Sequence, residues 1–207
     1  MVQGRSDAAE GGRIRYGMVG GGQGAFIGAV HRLAARMDDQ YELVAGALSS
    51  NPKRAVDSAK ELGLAPDRSY RSYEEMAEKE GKRPDGIEAV SIVTPNHMHY
   101  PVAKAFLKAG INVICDKPMT LTVKEAKELV ALTKKTGLLF AVTHNYTAYP
   151  MLRQAREMVQ TGVLGDIRVV QAEYAQDWLT NPIEKDGQKQ ASWRTDPKQS
   201  GAGGSIG

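Results

Sequence analysis

Between residues 13 and 143, short apolar runs alternate with longer segments in which apolar residues recur every three or four positions. The runs predict strands covered on both faces, because they are apolar throughout instead of alternating with polar residues. The segments between them predict amphipathic helices. The predicted strands are IRYGMV, ELVAGAL, EAVSIV, NVICD and LLFAVT, and the predicted helices are AVHRLAARM, PKRAVDSAKEL, YEEMAEKE, HMHYPVAKAFLKAG and VKEAKELVALTKKTG. This alternation is typical of βαβ units and predicts an α/β fold with a doubly wound parallel sheet over residues 13–147.

After HNYTAYP the pattern changes. A helix, MLRQAREMVQTG, leads to IRVVQAEYAQDW, whose apolar residues alternate with polar ones. A period of two favours a half-solvated strand in a mostly antiparallel open sheet, so residues 148–207 are predicted to begin an α+β domain. The polar residues 1–12 are predicted to be a disordered tail.

The composition narrows the class of protein. Of the 207 residues, 42% are hydrophobic and 25% are charged, which is typical of a globular chain. The net charge of +3 has no basic run behind it, so neither a nucleic-acid nor a membrane partner is predicted. The single cysteine, Cys115, favours a reducing compartment, and no secretory signal is found, so a cytoplasmic location is predicted. No metal site is predicted.

The stretch YGMVGGGQGAFIGAVHR places a Gly-x-Gly-x-x-Gly/Ala pattern between the first strand and the first helix. In such a Rossmann-type turn, Gly20 makes the tight turn, Gly22 leaves room for a pyrophosphate, and the helix N-terminus offers N–H groups to it. The strict third position is Ala25, and Gly28 is the alternative if GAF is an insertion. The alternative function for these glycines is close packing of helix on strand. The residues predicted to contact a dinucleotide here are Gly20, Gly22, Gln23, Ala25, Phe26, Ile27 and Gly28.

In a dinucleotide-binding sheet, the residue at the end of the second strand contacts the 2′ position of the adenosine ribose. An acid there would select NAD, but the chain has Ser49 and Ser50, with Lys53 and Arg54 close behind. Hydroxyl and cationic donors favour a 2′-phosphate, so Ser49, Ser50 and Arg54 are predicted to bind the cofactor, with NADP preferred over NAD. The alternative, which is compatible, is that residues 49–51 cap the helix that begins near Pro52.

Three further segments, TPNHMH, CDKP and HNY, each follow a predicted strand. Together with the glycine turn they resemble the glucose-fructose oxidoreductase and inositol dehydrogenase family, Gfo/Idh/MocA. The resemblance implies an N-terminal dinucleotide-binding domain and a C-terminal domain whose open sheet holds substrate and oligomer contacts. It implies hydride exchange between a nicotinamide and a sugar, cyclitol or related polyol, and a homo-oligomer in the full-length protein.

Lys117 in CDKP matches the family's catalytic lysine of Glu-Lys-Pro, and Asp116 replaces the glutamate with a shorter carboxylate. Independently of the resemblance, Lys117 follows a parallel strand at the edge where ligands bind, and its amine suits acid-base work on a carbinol. The alternative role is an ion pair with Asp116. By resemblance, Pro118 is a candidate cis proline.

The resemblance also implies other site residues. Thr94, Pro95, Asn96 and His99 match the loop against the ribose and nicotinamide, although Asn96 is equally suited to cap a helix, and His97 is predicted to be solvated. Asn145 and Tyr146 match the cleft between the domains, while Thr147 stands where many relatives have arginine. Trp193 and Arg194 are predicted to reach the substrate; simple packing of the pair is the alternative.

Relatives continue past a glycine-rich segment into an Asp-x-Gly-x-His motif, and this sequence stops at Gly207, one residue before it. The resemblance therefore leads us to expect a fragment or a truncated gene. A second function is also compatible with the sequence: a nicotinamide-binding module without catalysis, either a regulator or a remnant. A poorly folded fragment is the third alternative.

Overall fold

The computed structural model describes residues 12–201. Its centre is one sheet of five parallel strands in the order β2-β1-β3-β4-β5, which confirms the predicted parallel sheet. The strands are Ile14–Gly20 (β1), Tyr41–Ala47 (β2), Ala89–Val93 (β3), Asn112–Cys115 (β4) and Phe140–Val142 (β5). Because the strand order reverses beside β1, the carboxyl ends of β1 and β3 flank the crevice where such sheets bind ligands.

Helices connect the strands of the sheet and continue after β5, and several of their ends follow local sequence signals. They are Phe26–Arg36 (α1), Pro52–Glu61 (α2), Tyr73–Lys82 (α3), His99–Lys108 (α4), Val123–Thr136 (α5), Pro150–Gln160 (α6), Lys189–Arg194 (α7) and Pro197–Ser200 (α8). Helix α5 shows these signals clearly: Thr122 and Glu125 form a capping box at its start, and Gly137 adopts a left-handed conformation with φ of 71° at its end.

The hydrophobic core lies on both faces of the central strands. Every residue of β3 is buried, as expected of a strand covered by helices on both sides. Phe106 and Leu107 of α4 pack in the same cluster as Val90 and Ile92 of β3, and all four side chains are fully buried. The core therefore fixes the carboxyl ends of β1, β3 and β4 relative to one another.

The second predicted sheet is not present in the described part of the chain. The predicted strand over residues 167–178 has no strand assignment, and Val169 and Val170 are 82% and 81% exposed. An alternating pattern specifies which face of a strand is apolar, but a strand forms only when another backbone satisfies its N–H and C=O groups. Residues 12–201 provide no such partner for this segment. Most of the predicted tail (1–11) and the final residues 202–207 lie outside the described residues.

Within residues 12–201, none of the helices combines the length and the apolar character needed to cross a bilayer.

Candidate active site

A cavity of about 570 Å³ opens at the carboxyl ends of β1, β2, β3 and β4. It brings together most of the residues singled out in the sequence. Those on its wall are Gly20, Gly22, Gln23, Ala25, Ile27, Ser49, Ser50, Arg54, Thr94, Pro95, Asn96, Asp116, Lys117, Trp193 and Arg194. The glycine turn and Lys117 therefore face one space, although they lie far apart in the sequence.

The glycine turn keeps bare backbone where side chains would clash. Gly20 has a φ of 82°, a conformation that disfavours any side chain. At Gly22, a Cβ atom would lie 2.7 Å from the Leu48 carbonyl oxygen and 2.7 Å from Ser58 Oγ. Two of the hydrogen bonds that hold the turn join it to neighbouring elements: Gly22 N–H donates to Leu48 O at 3.1 Å, and Gln23 N–H donates to Ser58 Oγ at 2.9 Å.

Gly28 does not line the cavity but allows α1 to pack closely against the glycine turn. It is buried in α1, and a Cβ atom there would lie 2.4 Å from the Gly21 Cα. Helix α1 thus packs directly on the turn, and Arg32 reinforces the contact by donating from Nη1 to Gly21 O at 2.8 Å. Ala25, the N-cap of α1, occupies the third motif position on the cavity wall. Neither Gly28 nor Phe26, whose side chain is 71% exposed, lines the cavity, in contrast to the prediction.

Gly28→Ala is expected to destabilise the fold by about 1 to 3 kcal/mol, because the added methyl group overlaps backbone that cannot move away cheaply. Thermal unfolding measures this as a fall in Tm of about 5 °C. The control is Ala29→Ser, which enlarges the exposed neighbouring position of the same helix. Equal Tm values for the two variants would show that α1 does not press on the turn.

The end of β2 faces the same cavity through Ser49, Ser50 and Arg54. Of the two sequence interpretations, the structure supports the helix cap. Asn51 caps α2, since its side chain accepts from the Arg54 backbone N–H at 3.0 Å. Ser49 Oγ accepts from Asn51 N–H at 3.2 Å while still lining the cavity. No carboxylate follows β2 at this point, so the wall offers hydroxyl and guanidinium donors there.

Asp116 and Lys117 follow β4, and Lys117 is half-buried on the cavity wall. Thr143 Oγ1 donates to Asp116 Oδ1 at 2.8 Å, and His31 Nε2 lies 3.9 Å from the same oxygen. Burial raises the pKa of Asp116, but His31, Thr143 and the Lys117 backbone N–H favour the charged form and leave the pKa below its usual value. A fixed negative charge therefore stands beside Lys117. The Lys117-Pro118 peptide is cis, which confirms the prediction for Pro118.

The loop after β3 presents two polar atoms that have no hydrogen-bond partner among the described residues. They are Thr94 Oγ1 and His97 Nδ1, both buried beside the cavity. His97 was predicted to be solvated; the structure instead places it, half-buried, on the wall of the cavity. Asn96 is buried, and its Nδ2 donates to the Ser200 carbonyl oxygen at 2.9 Å.

His99 lies against the loop that follows β3. It does not line the cavity, in contrast to its predicted contact with the cofactor. The side chain is fully buried. Its Nδ1 lies 2.6 Å from Pro118 O and its Nε2 lies 2.9 Å from Thr94 O, so the ring links the two loops that flank the cavity. Burial lowers the pKa of His99, although the two carbonyl oxygens and Asp116 oppose that effect.

The lowered pKa values of His99 and Asp116 make the free energy of unfolding depend on pH in two separate ranges. A histidine whose folded pKa is lowered binds fewer protons than in the unfolded chain, so His99 removes stability as the pH falls below about 6.5. Asp116, with its lowered pKa, contributes stability that is lost only as the pH falls below about 3.9. Urea unfolding from pH 8 to pH 3 is expected to show both steps. A His99→Gln variant should lack the upper step; an unchanged upper step would assign it to another group.

The residues predicted to contact the substrate divide into two groups. Trp193 and Arg194 of α7 line the cavity, and the Arg194 guanidinium lies 4.3 Å from the Trp193 ring centroid and 5.6 Å from that of Trp178. Burial lowers the pKa of Arg194, and Asp116 opposes this. Asn145 and Tyr146 do not line this cavity. Tyr146 is 49% exposed, and its hydroxyl lies 3.0 Å from that of Tyr174.

Several wall residues were not found from the sequence, because they lie at or near the starts of α3 and α7, where no motif marks them. They are Arg71, Ser72, Tyr73, Glu74 and Gln190.

The wall fits a nicotinamide dinucleotide. The glycine turn is a cradle that Cβ atoms would fill, and the start of α1 behind it presents the N–H groups that suit a pyrophosphate. The partnerless polar atoms of Thr94 and His97 match the hydroxyl and amide groups such a ligand offers. Gly20, Gly22, Ser49, Arg54 and Thr94 would hold it.

Comparison with known proteins agrees with this architecture. Residues 14–144 match the family model described as "Oxidoreductase family, NAD-binding Rossmann fold", and residues 152–207 match the GFO/IDH/MocA C-terminal domain. An uncharacterised oxidoreductase of Bacillus subtilis is 42% identical over 91% of this chain and 48% of its own length. The levoglucosan dehydrogenase of Pseudarthrobacter phenanthrenivorans is 29% identical over 92% of this chain and 47% of its own.

Among solved structures, an inositol dehydrogenase homologue of Azotobacter vinelandii complexed with NAD⁺ superposes with a TM-score of 0.87 and 40% identity, over 97% of this chain and 51% of the other. An inositol dehydrogenase homologue of the same organism, complexed with NADH and myo-inositol, gives a TM-score of 0.81 and 38% identity, over 87% of this chain and 48% of the other. The chain thus spans about half the length of these relatives. From its parallel sheet, its glycine turn and these matches, the chain belongs to the Gfo/Idh/MocA oxidoreductase family.

Proposed function

We propose that this chain binds a nicotinamide dinucleotide and serves an oxidoreductase that moves hydride between the nicotinamide and a CH–OH carbon of a sugar, cyclitol or related polyol. The observation that supports this most directly is the shared cavity, whose wall contains both the glycine turn at Gly20 and the amine-bearing Lys117. Relatives named for inositol and levoglucosan support the substrate class.

The chemistry divides between the cofactor and the chain. A bound oxidised nicotinamide supplies the hydride acceptor. Lys117 accepts the hydroxyl proton as the carbon–hydrogen bond breaks and the carbonyl forms, and it returns the proton in the reverse direction. Asp116 keeps a fixed negative charge beside the lysine, and Trp193 with Arg194 closes the wall on the side of α7. Asn145 and Tyr146 stay predicted substrate residues. We also propose that the full-length protein is a homo-oligomer.

We further propose that NADP is preferred over NAD. The support is the donor set after β2: Ser49, Ser50 and Arg54 line the cavity, and no carboxylate follows that strand to repel a 2′-phosphate. Isothermal titration of the chain with NADP and then NAD tests both the binding and the preference. Binding of neither dinucleotide by a chain that melts cooperatively would overturn the proposed function.

Arg54→Ala is expected to weaken NADP binding about tenfold and to leave NAD binding within about twofold, because a charge-assisted bond to the phosphate is lost. Lys53→Ala is the matched control: it removes the neighbouring positive charge, from a residue that is exposed and does not line the cavity. An equal loss for NADP and NAD would show that Arg54 does not face the 2′ position. Binding without turnover of myo-inositol or glucose would favour the non-catalytic module.

A further inference from the structure

Residues 71–74, at the start of α3, line the cavity but take no part in the proposed hydride and proton transfer. The backbone just before them runs beside β2, which is an edge strand of the sheet. Ser69 forms a parallel bridge with Gly46, and the Tyr70 N–H donates to the Gly46 carbonyl oxygen at 2.8 Å. Neighbouring chains in a sheet are about 4.8 Å apart, so these contacts hold the start of α3 against the carboxyl end of β2.

The parallel register places Arg71 next to the residues that follow β2. Arg71 comes two residues after Ser69, and Leu48 comes two residues after Gly46. Since parallel chains advance in the same direction, Arg71 is level with Leu48, and residues 49–50 come next along the neighbouring chain. Arg71 therefore lies at the end of the cavity that would hold the adenosine ribose.

Two arginines line this end of the cavity: Arg54 from the first turn of α2, and Arg71 from the position before the N-cap of α3. Among residues 12–201, neither guanidinium has a hydrogen bond or an ion pair; only their backbone N–H groups are bonded in this way. The carboxylate of Glu75 accepts the Arg71 backbone N–H at 3.2 Å and the Lys79 amine at 2.7 Å. The two guanidinium groups are thus available to a ligand.

Both arginines stand where a cation is unfavourable unless an anion is bound. The N-terminal end of a helix carries a partial positive charge, which repels a guanidinium group and attracts a phosphate. Guanidinium groups bind phosphate through paired N–H donors. Two of them at one end of a cavity suit a doubly charged phosphate monoester, and the 2′-phosphate of NADP is such a group.

Two carboxylates are found on the described part of the cavity wall, Glu74 and Asp116. Asp116 follows β4, which is three strand positions away from β2. Glu74 lies at the same end as the arginines. Burial raises its pKa, but its own backbone N–H, Ser72 and Tyr73 favour the charged form and leave the pKa below its usual value. The two guanidinium charges outweigh this single carboxylate.

We propose that Arg71 is a specificity-determining residue of the dinucleotide site, whose guanidinium binds the 2′-phosphate of NADP together with Arg54. The two side chains come from different elements, the first turn of α2 and the start of α3. The inference rests on the proposed function, because the phosphate belongs to the cofactor of that site.

The test compares Kd values for NADP and NAD, measured by isothermal titration of the wild type and Arg71→Gln. The Kd for NADP is expected to rise about tenfold and that for NAD to stay within about twofold, because only NADP carries the phosphate. Adenosine 2′,5′-bisphosphate and adenosine 5′-monophosphate should show the same difference. Lys82→Gln is the control: it removes an exposed cation at the far end of α3, away from the cavity, and should change none of the four values.

A second readout distinguishes direct contact from a structural role. Nearby guanidinium groups hold the second pKa of the bound 2′-phosphate below its free value of about 6. Phosphorus NMR of bound NADP measures this midpoint, which is expected to rise in Arg71→Gln and to stay unchanged in Lys82→Gln. Arg71→Lys keeps the charge but not the paired donors, so its loss of NADP affinity should be smaller.

An unchanged Kd for NADP in Arg71→Gln, or an equal loss for NADP and NAD, would overturn the inference. So would an unchanged phosphate midpoint. A wild-type chain that binds NAD but not NADP would also overturn it, while dinucleotide binding would stand. Binding of neither dinucleotide would overturn the proposed function, and the comparison of the two adenosine phosphates would then still decide on Arg71.

Discussion

Lys117→Ala is expected to slow hydride transfer to a polyol by at least ~100-fold, the usual scale for loss of an acid-base group. The dinucleotide Kd should stay within about twofold of the wild type, because the glycine turn and the β2 end are untouched. The measurement pairs initial rates, from the absorbance of the reduced nicotinamide, with isothermal titration of the same samples.

Lys124→Ala serves as the control, since Lys124 is an exposed lysine close in sequence that does not line the cavity. Undiminished turnover in Lys117→Ala would show that Lys117 does not transfer the hydroxyl proton. A parallel loss of dinucleotide affinity would assign it a binding role instead.

The position of Lys117 was predictable because a residue that directly follows a parallel strand must lie at the carboxyl edge of the sheet. The same rule placed the turn at Gly20 and the loop at Thr94 on that edge. Apolar runs and helical periodicity were sufficient for this step, since the strands of this sheet are buried on both faces.

Interactions between distant residues were not predictable in the same way. His31 and Ser91 are polar residues inside otherwise apolar positions, which was a signal, but their pairing depends on how α1 crosses the sheet. His99 matched a cofactor loop by motif, and the structure shows that both ring nitrogens lie within hydrogen-bond distance of backbone carbonyl oxygens. A motif identifies a residue's neighbourhood but not the direction in which its side chain points.

The predicted strand over 167–178 shows a second limit. Its alternation predicted a strand with one apolar face, but pairing requires a partner backbone that the described residues do not supply. Helix α3 shows a third limit. Its sequence contains Glu74, Glu75, Glu78 and Glu80, and only Glu80 is fully buried. The spacing of four from the buried Met76 predicted that Glu80 lies on the apolar face of the helix. It did not predict which residues pair with Glu80.

Those partners make Glu80 the centre of a buried polar network. Its carboxylate accepts Arg68 Nε at 3.1 Å, the Tyr70 hydroxyl at 2.6 Å and the Ile87 backbone N–H at 3.0 Å. Arg68 is itself buried, at 7% exposure. Burial, together with Glu80, raises the pKa of Tyr70, so the phenol remains a donor to this carboxylate.

Glu80→Leu is expected to lower the free energy of unfolding by about 3 to 5 kcal/mol, because it leaves the Arg68 charge buried without its main partner. Thermal unfolding should show this as a fall in Tm of about 10 °C. Glu78→Leu is the matched control on the same helix: its ion pair with Lys82 is solvent-exposed, so Tm should change little.

The variant Arg68→Met/Glu80→Leu removes both charges and should be more stable than Glu80→Leu alone, because the main penalty is the unpaired charge rather than the lost attraction. Equal Tm values for Glu80→Leu and Glu78→Leu would show that the buried pair contributes no more than a surface one.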